Sequence, residues 1–183
     1  MIQNIFFIVR HGESENNLLG IESTLLQNKD QFGLSENGKK QTEIEAKKFK
    51  DFDIIISSPF RRAKETAFIF AQHSKCKVIE DNLLCEVCVG NFELQKCKKI
   101  DSFSEKYGEE ASFPNGESLL DVKNRAIKFF EQINQTYKNK KILIVTHGWL
   151  VLYLIEYTDK GFNREKYLKE YYGARKVREL KRP

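Results

Sequence analysis

No apolar run in this chain approaches the ~20 residues that a bilayer-spanning helix requires. The opening stretch MIQNIFFIVRHG has no basic n-region and no small-residue cleavage site, so no signal peptide is expected. There is no internal repeat and no low-complexity segment. No RNA- or DNA-binding motif is present, and only one segment is strongly basic, which argues against a nucleic-acid partner. No clustered carboxylate metal site can be read either. The four cysteines, Cys76, Cys85, Cys88 and Cys97, include one C-x-x-C pair flanked by single residues. A structural zinc site wants two such pairs or a Cys/His set, so ordinary reduced cysteines are expected. The expectation is a soluble cytoplasmic protein with no membrane partner; a homo-oligomer is left open.

What is present suffices for one domain spanning 1–183, since 40% of the 183 residues are hydrophobic. The net charge of +5 is uneven. Residues 160–183 form a basic tail, read as a solvated surface, as a segment folding toward an anionic ligand, or as one that contacts acidic partners. Four short runs rich in Ile and Val, at 5–9, 52–57, 76–80 and 141–146, suit strands covered on both faces. Helical patterns separate them: 36–50 with Ser35 or Asn37 as cap, from Pro59 to Ser74, 116–138, and from Gly148 onward. This alternation predicts an α/β three-layer sandwich, a mostly parallel central sheet with helices on both faces. Residues 18–35 read as a mixed loop, and 87–116 as a loop or small helical insertion; both are expected on the substrate side.

The unusual polar residues sit where such strands end. The first run exits into Arg10-His11-Gly12, the second into Ser57-Ser58-Pro59 before Phe60-Arg61-Arg62, the third leads to Glu86, and the last exits into Thr146-His147-Gly148. The carboxyl ends of parallel strands share one edge of a sheet, where ligands bind. Only three histidines occur, and two stand as His-Gly directly after a strand; His73, late in a helix, reads as a surface residue. Two arginines offer forked donors for a phosphate dianion. An unprotonated imidazole can accept a phosphoryl group, and a second one, if protonated, can stabilise its equatorial oxygens. A carboxyl group can protonate the leaving oxygen and later activate water.

Several motifs, taken in order, resemble the histidine phosphatase superfamily, which includes the cofactor-dependent phosphoglycerate mutases. They are VRHGESENN (9–17), LSENGKKQ (34–41), SSPFRRAKETA (57–67), LLCEVCVGNFE (83–93), PNGESLLDVKNR (114–125) and VTHGWL (145–150). The resemblance implies that His11 is the phosphorylated nucleophile and that Arg10, Arg62 and His147 complete the phosphate pocket. Glu86 would be general acid and base, Asn17 a side-chain donor to phosphate and Gly148 a backbone donor. Ser23 stands about where relatives use a loop hydroxyl. The Arg-Ala spacing favours Arg62 over Arg61, which reads as an exposed helix charge.

Three departures bear on the reaction. Phe92-Glu93-Leu94 stands where many relatives have aromatic-Glu-Gly, so the backbone there is expected to turn differently. The loop after Asn17 lacks the Gly-Trp common in mutases, and the stretch from Glu86 to Gly116 is shorter than mutases carry. These favour a metal-independent phosphomonoesterase acting on small phosphorylated metabolites without a cofactor. A phosphoglycerate mutase, which would use 2,3-bisphosphoglycerate, is the alternative. A silent phospho-ligand-binding domain is the third.

Overall fold

The computed structural model describes residues 4–170 and 175–181. Its frame is a five-stranded sheet of β1 (Ile5–Arg10), β2 (Ile54–Ser57), β3 (Lys77–Glu80), β4 (Lys141–Thr146) and β5 (Arg178–Glu179). The spatial order is β3-β2-β4-β1-β5. The first four strands are parallel, and β5 runs antiparallel to β1 at the edge. The helices are α1 (Glu15–Leu19), α2 (Glu36–Lys48), α3 (Arg61–Ser74), α4 (Cys97–Tyr107), α5 (Leu119–Thr136), α6 (Gly148–Thr158) and α7 (Arg164–Glu170).

Alternation along the central strands divides the core in two. Phe6, Ile8, Ile142 and Ile144 face a cluster built with Val122, Ala126, Phe129 and Leu150 of α5 and α6. Val9, Leu143 and Val145 face a second cluster with Ala46, Ala63, Ala67 and Phe70 of α2 and α3. With both faces covered, β1 and β4 need apolar residues at nearly every position, which is why they read as continuous runs. Each fully buried side chain of this kind contributes about 1.5–3 kcal/mol.

The expected sandwich is therefore the observed one, with local differences. The strand at 76–80 lies at an edge, with Ile79 40% exposed, instead of being covered on both faces. The helix expected from Pro59 begins at Arg61, with Phe60 at its N-cap. Ser35, not Asn37, caps α2, accepting from Gly38 N at 2.9 Å. The segment 87–116 contains a real helix, α4. The basic tail folds in part as α7 and β5; its residues 171–174 and 182–183 lie outside those described.

The strand order brings the two His-Gly exits together. β4 lies between β1 and β2, so β1 and β4 are adjacent and parallel with Arg10 beside Thr146 in register. The exits that carry His11 and His147 are thus neighbours at one edge of the sheet.

Candidate active site

The two histidine rings lie 5.1 Å apart, centroid to centroid, in a tilted edge contact. Between them comes Arg62 from the first turn of α3, only 2% exposed. Its Nε donates to His11 Nε2 at 3.3 Å, and its Nη2 donates to Ser23 O at 2.9 Å and to His147 Nδ1 at 3.4 Å. The Phe60 ring lies beneath the guanidinium at 4.7 Å. Burial pushes the Arg62 pKa down to about 10, with Glu86 and Glu22 acting against it.

These contacts assign both tautomers, because a guanidinium can only donate and a carbonyl can only accept. His11 Nδ1 lies 2.7 Å from Gly12 O and must carry the proton. Its Nε2 then keeps a lone pair, directed at Arg62. His147 is the reverse: Nδ1 accepts from Arg62, and Nε2–H donates to Ser58 Oγ at 2.8 Å. Burial, followed by the charge of Arg62, holds both imidazoles well below the ordinary value of 6.5.

The His11 loop is placed by close backbone packing. Gly12 N donates to Thr66 Oγ1 at 3.0 Å. A Cβ on Gly12 would meet Thr42 Oγ1 at 2.6 Å, so only glycine lets the strand exit lie this near α2 and α3. Glu13 accepts from Ser35 Oγ at 2.6 Å, which ties the exit to the start of α2.

Glu86 is buried at the other wall. Its Oε1 accepts from Val87 N at 2.9 Å and its Oε2 from Gly148 N at 3.2 Å, at the N-terminus of α6. Burial raises its pKa above the ordinary 4.5 despite these bonds. Arg125 supports this loop, donating to Leu83 O at 2.7 Å and Glu86 O at 3.1 Å while paired with Glu117 at 2.9 Å. The Gly-Glu-Ser helix entry is thereby explained: Glu117 also accepts from Cys88 N at 2.9 Å and clamps the segment that carries Glu86.

A cleft lined by Arg10, His11, Asn16, Asn17, Glu22, Arg62, Glu86, Val87, Ile100, Asp101 and Trp149 opens over these groups. Of the residues expected from sequence, the structure brings Arg10, His11, Asn17, Arg62 and Glu86 to this cleft. Arg10 Nε is buried there without a hydrogen-bond partner, an orphaned cationic donor at a site with room for an anion. His147 stands behind Arg62, and Gly148 N is engaged by Glu86. Ser23 is fully buried: its carbonyl holds Arg62, and its hydroxyl is turned to Glu93 at 3.4 Å. Arg61 pairs with Glu65 at 2.7 Å on the surface, and His73 with Glu43 at 2.8 Å, both away from the cleft.

Glu93 organises the wall formed by residues 23–28, accepting from Thr24 N at 2.8 Å, Leu25 N at 3.2 Å and Asn28 Nδ2 at 2.8 Å. The next residue, Leu94, takes a φ of 59°, the left-handed backbone that a glycine would adopt freely. The turn is reached with a leucine at the cost of local strain.

Three charged residues at the site, Glu22, Asp101 and Arg175, were not read from sequence. Glu22 and Asp101 come from segments without a recognisable pattern. Arg175, in the basic tail, donates from Nη2 to Asn17 Oδ1 at 3.1 Å, and its Nε is buried without a partner. The charge excess of the tail was the only signal for it. The cysteines are all free thiols. Cys97 hydrogen-bonds Glu22, and burial together with that carboxylate pushes its pKa up to about 12. Among the described residues, no group of three or more His, Cys, Asp or Glu could hold a metal ion. No helix among them is long and apolar enough to cross a membrane.

The family model of the histidine phosphatase superfamily (branch 1) matches residues 6–170. The chain belongs to this superfamily. Its members are generally metal-independent, and the relatives of this chain are named as phosphatases and probable phosphoglycerate mutases. An uncharacterized phosphatase, PhoE, of Bacillus subtilis is 33% identical over 143 residues, covering 77% of this chain and 70% of its own. Phosphoserine phosphatase 1 of Hydrogenobacter thermophilus is 32% identical over 152 residues, covering 76% and 69%. Proteins named probable phosphoglycerate mutase match as well. Among solved structures, a phosphoserine phosphatase from Entamoeba histolytica in complex with 3-phosphoglyceric acid superposes with a TM-score of 0.76. It is 23% identical, covers 96% of this chain and 89% of its own, and shares the fold.

The neutral imidazoles make a prediction about pH. The unfolded chain protonates both histidines as pH falls through about 6.5, whereas the fold resists it, so unfolding takes up protons and stability drops below that pH. Glu86 works in the opposite sense: its contribution is full below 4.5 and is lost as pH rises through its raised folded value. Urea unfolding of wild type and His147→Asn between pH 7 and 5 separates the two effects, since Glu86 is common to both. The variant should lose up to about 1.4 kcal/mol less per pH unit. Parallel curves would contradict the assignment of a neutral His147.

Proposed function

We propose that this histidine phosphatase is a metal-independent phosphomonoesterase working through a phosphohistidine on His11, with no cofactor. The observation that carries the reading is the His11 tautomer: Nδ1 is tied to Gly12 O, so the Nε2 lone pair stands beside two arginines in a cleft that also holds Glu86.

Substrate phosphate would bind between Arg10 and Arg62, with the Asn17 carboxamide as a further donor. Arg175 and Ser14 N both donate to Asn17 Oδ1, which leaves its Nδ2 for the ligand. Binding would draw the Arg62 Nε–H from His11 to a phosphate oxygen and free the nucleophile. His11 Nε2 then forms the N–P bond as the ester P–O bond breaks, and Glu86, whose hold on a proton is strengthened by burial, gives a proton to the departing alkoxide. Water next enters, the Glu86 carboxylate takes its proton, and hydroxide displaces His11 from phosphorus. His147, neutral in the ligand-free site, would accept a proton more readily once a dianion sits beside it and would then stabilise the equatorial oxygens. Gly148 N would be free to reach the ligand when the Glu86 side chain moves to the leaving group.

Hydrolysis is preferred over the mutase reaction for two reasons. The segment from Glu86 to Gly116 is short, which favours access of water. Among the described residues, the charged residues lining the cleft beyond Arg10 and Arg62 are the carboxylates Glu22, Glu86 and Asp101. A bisphosphoglycerate needs cations for its carboxylate and second phosphate, and this lining offers the opposite sign.

Rapid quenching with an activated aryl phosphate should trap phosphate on the His11 peptide, with none in His11→Ala. Label on another residue would overturn the nucleophile. Glu86→Gln should lower kcat/KM for alkyl phosphates by about 10²–10⁴-fold, the usual worth of a general acid, and for aryl phosphates with good leaving groups far less. Equal losses on both would contradict the acid role.

A further inference from the structure

The cleft carries charge of both signs. Arg10 and Arg62 line it, and Arg10 Nε is buried without a hydrogen-bond partner, which marks a place for an anion. Among the described residues its other charged lining, Glu86 aside, is the pair Glu22 and Asp101, and the aromatic Trp149 and the apolar Ile100 line the same cleft. Glu22 lies deep enough to feel both arginines and Glu86, and its side-chain partner is the weakly donating thiol of Cys97. A desolvated carboxylate with so weak a partner is costly unless a cation or strong donor reaches it. Helix α4 brings Asp101 to the same opening, with its side chain largely in solvent. Carboxylates beside an indole ring are the usual surroundings of an organic ammonium group.

We infer that the preferred substrates are phosphate monoesters of amino alcohols, whose ammonium group is received by Glu22 and Asp101 beside Trp149 while the phosphate lies on Arg10 and Arg62. This rests on the phosphomonoesterase reading and names its substrate class. The cleft selects by sign: an ammonium relieves Glu22, whereas a carboxylate or second phosphate on the same alcohol would face the charges of Glu22 and Asp101. A neutral alcohol would fall between the two.

The test compares phosphate release from phosphoethanolamine, glycerol 3-phosphate and 3-phosphoglycerate, with 4-nitrophenyl phosphate as a reference for turnover. In the wild type, kcat/KM should be at least about tenfold higher for phosphoethanolamine than for 3-phosphoglycerate, the worth of one charge-assisted hydrogen bond. Glu22→Gln should shrink that ratio by about tenfold. Asp101→Asn, at an exposed position that cannot threaten folding, should shrink it by a smaller factor. Hydrolysis of the aryl ester with no preference for the ammonium ester, or a ratio unmoved by Glu22→Gln, overturns the inference and leaves the phosphatase reading standing. Absence of all turnover overturns the phosphatase reading instead. Calorimetric binding to the His11→Ala protein then decides the charge preference by itself: tighter binding of phosphoethanolamine than of 3-phosphoglycerate upholds it, and equal or reversed affinity overturns it.

Discussion

Everything at the strand exits is arranged around the buried guanidinium of Arg62. Taking such a charge out of water costs several kcal/mol unless its donors and its charge are met. Here the donors meet His11, His147 and Ser23 O, the Phe60 ring lies under the plane, and Glu86 and Glu22 supply charge from across the cleft. The same set of bonds orders the chemistry. It fixes the two imidazoles in opposite tautomers, keeps both neutral and anchors the loop at Ser23. A lysine could not replace it, since a point charge offers no planar fork to span two rings and a carbonyl.

The surrounding elements act as supports for that centre. The parallel pairing of β1 with β4 brings His11 beside His147. Thr66, Thr42 and the absent Cβ of Gly12 hold the first exit against α2 and α3. Glu117 and Arg125 hold the segment that carries Glu86, and Glu93 holds the wall that carries Ser23. Thr66, Glu117 and Glu93 take up backbone N–H groups that a loop would otherwise leave unpaired. The loops are irregular in path but well fixed at the points that face the cleft.

Much of this was legible in the sequence because strand exits in a parallel sheet announce themselves. An apolar run ending in Arg-His-Gly or Thr-His-Gly places its polar residues at one edge, whatever the details of the turn. Arg62 was legible through the Arg-Ala spacing at the start of its helix. The role of Glu117 was not, because the backbone group it clamps, Cys88 N, is nearly thirty residues away. Glu22 and Asp101 were hidden for a related reason: a carboxylate in a loop or on an amphipathic helix looks like any solvated charge until the fold shows which cleft it lines. Arg175 comes from a tail whose charge was visible but whose path was not, and β5, only two residues long, carries no periodicity to read.

The central claim is that His11 presents an unprotonated Nε2 at neutral pH because Gly12 O holds the proton on Nδ1 and Arg62 repels a second one. Nitrogen-15 NMR of the imidazole in ligand-free protein, between about pH 8 and 5.5, tests it directly. A protonated Nδ1 and a lone-pair Nε2 that persist unchanged well below pH 6.5 are the expected result. An Nε2-protonated tautomer, or an imidazolium forming near pH 6.5, would contradict the account.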